Sequence, residues 1–160
     1  MRYEMTEDEV RDFARTTLDL KPTESAQAGV GQLTSFNKLG FAGIKDRPDG
    51  WYLPNETHFP ALILEVKGSN VKFGDKERAE LIKNIKITLT KYDHVVGILF
   101  NGYEIEVYKD LAQANVANDL KAKDETDDEY SEDAVSQDLV FLLEAKLLGK
   151  IDLHLWHRLA

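Results

Sequence analysis

The chain contains no cysteine among its 160 residues. Disulfides and thiolate metal sites are thereby excluded, the usual pattern of a reducing compartment. Long apolar runs are missing too. A membrane-spanning helix needs ~20 consecutive apolar residues, and no stretch approaches that. The opening segment MRYEMTEDEVRDFARTTLDL is charged and carries no apolar block of signal-peptide length. A soluble, cytoplasmic protein is the expectation. Glycine-rich phosphate loops are absent as well: Gly29 and Gly31 are not followed by Lys-Ser/Thr, so the chain carries neither an NTPase motor nor a methyltransferase. Positive charge is the fourth shortage, with 20 Lys and Arg against 29 Asp and Glu, a net charge of −9.

That deficit is uneven. Residues 1–110 hold 15 basic against 18 acidic groups, net −3, whereas residues 111–160 hold 5 against 11, net −6. The excess centres on KDETDDEYSED, Lys123 to Asp133, which reads as a solvated acidic linker. Residues 1–110 are therefore expected to form one α/β core, and residues 111–160 an acidic linker followed by a C-terminal helix packed on it. A chain of this length can bury roughly two thirds of its unfolded surface and fold without staples.

Hydrophobic periodicity gives the elements. Thr6 to Leu20 reads as a helix, ended by Lys21-Pro22. From Thr23, the apolar residues Ala26, Val30, Leu33, Phe36 and Leu39 recur three or four apart, which predicts a second helix closed by Gly40. Extended segments are expected at Phe41–Lys45, Gly50–Leu53 and Ala61–Lys67. Lys76 to Tyr92 has a helical stripe with Asp75 available as N-cap. His94–Phe100 and Tyr103–Tyr108 read as strands joined by Asn101-Gly102, a strong hairpin signal. Leu111–Leu120 and Ala134–Leu148 are the remaining helical candidates. Mixed order of this kind predicts an α/β sandwich around a mixed sheet.

Chemistry concentrates near RPDGWYLPNETHFPALILEVKGSN. Side chains alternate along a strand, so Glu65 and Lys67 share a face while Leu64 and Val66 point to the other. Charges leaving a buried strand together are costly unless they pair or bind something. An ion pair at the strand end is the plainest account. Asp49, however, precedes the adjoining strand, and neighbouring strands lie ~4.8 Å apart, so it reaches the neighbourhood of Glu65. Paired carboxylate oxygens are hard ligands suited to Mg²⁺. A lysine beside them can orient water or offset phosphate charge, a combination that suits phosphodiester hydrolysis.

Pro48-Asp49 followed by Glu65-Val66-Lys67, with flanking helices, resembles the PD-(D/E)XK nuclease superfamily. The Asn101-Gly102 hairpin with EVYKD behind it looks like the N-terminal nuclease domain of type I restriction-enzyme motor subunits and of nuclease–methyltransferase fusions. The likeness covers roughly Thr23 to Asp110. It implies a restriction-endonuclease-like α/β/α sandwich of order α-β-β-β-α-β-β and a Mg²⁺-dependent DNA endonuclease, with Mn²⁺ as a substitute. It also implies methyltransferase, specificity or motor subunits as partners. By resemblance Asp49 and Glu65 hold the metal, the Val66 carbonyl adds a ligand, and Lys67 positions the attacking water. Glu24, near the start of the Thr23 helix, matches a further acid of the first helix. The family's second helix often supplies a Gln; here Asn84 stands at a comparable place, a shorter side chain. Lys45, Arg47, Lys72, Lys76 and Arg78 flank the site and are where a DNA phosphate track would run.

Other motifs lack support. His154 and His157 have H-x-x-H spacing without a further His or Cys cluster for zinc. His58 and His94 sit at a turn and a strand start. Two rival readings keep the fold but change the role: a binding or assembly module with a vestigial site, and an RNA-directed nuclease.

Overall fold

A capping box opens the chain's first element: Thr6 Oγ1 accepts from the Glu9 N–H and Glu9 Oε1 from the Thr6 N–H, each at 3.2 Å. The computed structural model describes residues 4–18 and 20–113. After α1 (Glu7–Leu18) come β1 (Ala26–Val30), a 3₁₀ turn (Asn37–Leu39), β2 (Gly50–Pro54) and β3 (Ala61–Val66). There follow α2 (Asp75–Leu89), β4 (Val95–Phe100), β5 (Ile105–Lys109) and a short β6 (Ala112–Gln113). The strands form one mixed sheet in the order β1-β2-β3-β4-β5-β6. Neighbours are antiparallel except β3 and β4, which run parallel and are joined through α2, as a crossover connection requires.

Alternation along β3 divides the core. Leu62, Leu64 and Val66 pack with Val10, Ala14 and Leu18 of α1 and with Val96 and Ile98. Ile63 packs with Leu81 and Ile85 of α2, Trp51 and Leu99. All six residues of β3 are buried, so the strand is fixed from both sides. The approach of α2 is close: a Cβ added to Gly97 would lie 2.4 Å from Ile85 Cδ1. Between β4 and β5, Asn101 Oδ1 accepts from the Tyr103 and Glu104 N–H groups at 3.0 and 2.7 Å, and Gly102 takes φ +94°. The hairpin expected at Asn101-Gly102 is therefore present. Among the described residues, no helix is long and apolar enough to cross a membrane.

Four expectations are corrected. The helix expected from Thr23 is β1 plus the 3₁₀ turn. Ala26 to Val30 pair antiparallel with Pro54 to Gly50, and Leu33, which completed the helical stripe, is 79% exposed. Gly29 explains the strand, because a Cβ there would come within 2.7 Å of the Trp51 ring, a close packing that a strand glycine permits. Phe41–Lys45 is not a strand; it folds back on the 3₁₀ turn, with the Phe36 and Asn37 N–H groups donating to the Asp46 and Ile44 carbonyls at 2.8 and 2.9 Å. Asp75 is the first residue of α2 rather than its cap. Gly74 caps the helix, and its N–H donates to Glu77 Oε1 at 2.9 Å. Of the expected helix from Leu111, Ala112 and Gln113 form β6. The acidic segment, the helix at Ala134–Leu148, His154 and His157 lie outside the described residues.

Candidate functional site

Gly50 is in register with Leu64 on antiparallel strands, which sets Asp49 opposite Glu65 at the end of the sheet. The Asp49 N–H donates to the Leu64 carbonyl at 3.2 Å, and Asp49 Oδ2 accepts from the Val66 N–H at 2.9 Å. Pro48 rigidifies the approach to this residue by fixing its own φ. Both carboxylates are buried, side by side at the ends of adjoining strands. Burial first, then the hydrogen bond and like charge of Asp49, push the Glu65 carboxyl up to about 9, with Glu80 adding to the rise and Lys67 opposing it. Buried beside a second carboxylate, Glu65 favours its neutral form.

The helix on the same face supplies the next partners. Asn84 Nδ2 donates to Glu65 Oε2 at 2.8 Å, and the Asn84 Oδ1 atom has no hydrogen-bond partner among the described residues although the side chain is only 4% exposed. One turn earlier, Glu80 Oε2 accepts from Lys67 Nζ at 2.6 Å. Burial lowers the Lys67 pKa, but Glu80 above all, then Glu65 and Glu7, outweigh it and hold the ammonium above the ordinary lysine value. Lys67 is thus charged and directed by Glu80 beside the carboxylate pair.

The first helix reaches the site from the other side. Met5 and Ser69 exchange hydrogen bonds, Met5 N–H to Ser69 Oγ at 2.6 Å and Ser69 N–H to the Met5 carbonyl at 2.9 Å. This ties the start of α1 to the loop after β3. One turn into the helix, Arg11 Nε and Nη2 both donate to Asp49 Oδ1, at 3.2 and 3.0 Å. Its Nη1 donates to Asp8 at 2.6 Å and its Nη2 to Glu7 at 3.0 Å. With the Gln32 amide turned so that its oxygen faces the guanidinium, that oxygen accepts from Nη2 and Nη1 at 2.7 and 2.9 Å.

Asp49, Glu65 and Lys67 therefore come together as expected. Val66 contributes its N–H, and its side chain belongs to the core on the α1 side. Glu24 is a correction. It lies in the exposed turn before β1, and its carbonyl accepts from Asn55 Nδ2 at 2.8 Å. That is the Pro54 end of β2, a strand length of about 16 Å from Asp49. Asn84, whose direct role its shorter side chain argued against, touches Glu65. Lys45, Arg47, Lys72 and Lys76 are exposed. Arg78 is engaged instead in a two-point pair with Glu106, Nε–Oε1 at 3.0 Å and Nη2–Oε2 at 2.8 Å.

Arg11, Glu7 and Glu80 are site residues that the sequence pattern did not single out. Glu80 and Asn84 are four apart on α2 and share a face, so the helix that carries the one was a usable signal for the other. No local signal marks Arg11, whose contact with Asp49 spans 38 residues.

The donor set bears on a metal directly. Among the described residues, no group of three or more His, Cys, Asp or Glu is arranged to hold an ion. Mg²⁺ does not need three: it takes one or two carboxylates and keeps several waters. Asp49 and Glu65 meet that requirement, and the unpartnered, buried Asn84 oxygen next to Glu65 is a further hard donor awaiting a partner. The residues fit a hard divalent cation. Compared with known proteins, the chain matches no family model, no curated protein and no solved structure.

Proposed function

We propose that the chain is a Mg²⁺-dependent DNA endonuclease domain built on a restriction-endonuclease-like α/β/α sandwich. The observation that carries this reading is the convergence of Asp49, Glu65 and Lys67 at one end of the β2–β3 pair, two buried acids with a lysine beside them. The mixed six-stranded sheet with two helices, in which β3 and β4 run parallel through α2, supports this reading and is compatible with such a sandwich. In this reading the first-helix acid would be Glu7 of α1, whose charge is felt at Lys67, in place of Glu24.

Asp49 and Glu65 would hold Mg²⁺ or Mn²⁺; the bound ion would supply Lewis acidity and make water a nucleophile near neutral pH. Asn84 orients the Glu65 carboxylate through its amide. Lys67, charged and steered by Glu80, would hold a water or a phosphate oxygen beside the acid pair, an electrostatic role that is strongest in a water-poor site. Exposed Lys45, Arg47, Lys72 and Lys76 are the groups available for DNA phosphates. With a net charge of −9 over the chain, binding by this domain alone is weak and falls steeply with salt. Such a domain works within a larger assembly, with methyltransferase, specificity or motor subunits as the partners.

The test is incubation of supercoiled plasmid with purified protein and Mg²⁺ or Mn²⁺, beside a matched RNA. Nicked or linear DNA that is lost in Asp49→Asn and Glu65→Gln supports the proposal. Cleavage confined to RNA moves the substrate class. Intact DNA and RNA under all conditions leave an assembly module with a vestigial site.

A further inference from the structure

Arg11 is only 4% exposed and is surrounded by oxygen: Asp49, Asp8, Glu7 and the Gln32 amide. A guanidinium offers five N–H donors and no acceptor, so this setting satisfies it fully. Its two bonds to Asp49 fall on the same oxygen, Oδ1, while Oδ2 is taken by the Val66 N–H. The carboxylate that the metal reading needs is already neutralised by a buried cation from α1. A divalent cation approaching Asp49 through Oδ1 meets those two N–H bonds and a like charge within contact distance, and like charges in a buried setting are poorly screened.

The same arginine has a second seat. Glu7 and Asp8 lie on its own helix, four and three residues before it, at 3.0 and 2.6 Å. Asp8 is 85% exposed and Glu7 about half exposed. They stand on the solvent side of the guanidinium, whereas Asp49 stands on the buried side. Losing the Asp49 bonds would therefore leave Arg11 paired rather than orphaned, which lowers the cost of letting go.

We infer that Arg11 is a displaceable counter-cation: it occupies Asp49 in the metal-free protein, competes with the divalent cation for that carboxylate, and sets the cation affinity of the site. The inference rests on Asp49 and Glu65 holding the cation. Arg11 acts through Asp49 and is a positioning residue. Cation binding and the Arg11–Asp49 pair are mutually exclusive, so each weakens the other by the same factor.

Two measurements on the full chain test it. Calorimetric titration with Mn²⁺ compares wild type, Arg11→Gln and Arg11→Lys, with Asp49→Asn as the site control. Arg11→Gln is expected to bind about ten-fold or more tightly than wild type, within the span of ordinary two-site coupling, and Arg11→Lys to lie between them. The second measurement needs no variant: the Arg11 Hε resonance is followed while Mg²⁺ is added to wild-type protein. It is expected to shift and to exchange faster with water along the same saturation curve as binding. Equal or weaker Mn²⁺ binding by Arg11→Gln, or an Arg11 resonance that stays fixed while Mg²⁺ saturates Asp49, overturns the counter-cation. Absence of binding in wild type and in both Arg11 variants is a different failure, one that removes the metal site and the counter-cation together.

Discussion

Asn84, in the third turn of α2, donates its amide N–H to Glu65 on β3 at 2.8 Å, with both side chains buried. This bond links the helix to the acid pair and fixes the Glu65 carboxylate. Asn84→Ala removes the donor and leaves a buried oxygen unpaired, a loss expected to cost about 1–3 kcal/mol. Urea denaturation at pH 7 measures it, and a change within experimental error would show that the bond does not support the fold.

The Glu65 carboxyl makes stability depend on pH. Burial, then the neighbouring Asp49, pushes it up from the ordinary 4.5 to about 9 in the folded chain. Between those values the folded state keeps a proton that the unfolded state has released. The contribution is therefore full below about pH 4.5 and is lost as pH rises toward 9, by at most ~1.4 kcal/mol per unit. Glu65→Gln removes that slope. In the metal-free protein the variant is expected to match wild type at pH 4 and to exceed its stability at pH 8 by on the order of 1–3 kcal/mol. Parallel pH profiles for the two proteins would contradict the assignment.

Lys67 and Glu80 act as a unit at 2.6 Å. Lys67→Met, which keeps the stem and removes the charge, is expected to lower the rate of DNA cleavage at least ~100-fold. Glu80→Gln leaves the ammonium in place but less well directed, so its loss is smaller. Single-turnover cleavage separates the two effects, with circular dichroism verifying that both variants fold. A Glu80→Gln loss greater than that of Lys67→Met would mean that Glu80, rather than the lysine, carries the chemistry.

Gly97 governs how closely α2 approaches the sheet. A methyl there would meet Ile85 Cδ1 at 2.4 Å and Leu81 Cδ1 at 3.4 Å. Gly97→Ala is expected to destabilise by about 1–3 kcal/mol through overpacking, and Gly97→Ala with Ile85→Val to recover part of the loss. Thermal melts of the two proteins check this, since a neutral Gly97→Ala would mean that the interface gives way more easily than its geometry implies.

What the sequence revealed follows from how local each signal is. The face shared by Glu65 and Lys67 depends only on the two-residue alternation of β3, and the Asn101-Gly102 hairpin on adjacent residues. Asp49 required one further step, pairing with the strand next in sequence. The β1 segment carries a misleading signal, because Ala26, Val30, Leu33, Phe36 and Leu39 recur at helical spacing, while the features that make it a strand, its pairing with β2 and the Trp51 ring over Gly29, are tertiary. Misplacing that helix carried Glu24 with it. Arg11 was hidden for the opposite reason: its helix was correctly expected, yet its partner lies across the fold in the loop before β2, and no periodicity reports such a contact.

The central claim is that Asp49 and Glu65 hold one hard cation between them. The most direct test is a crystal structure of the chain soaked with Mn²⁺, located by its anomalous signal. The account predicts a single ion with oxygens of both residues ~2.1–2.2 Å away and the Arg11 guanidinium withdrawn from Asp49 toward Glu7 and Asp8. No anomalous peak at saturating Mn²⁺, with Arg11 still bonded to Asp49, would contradict it.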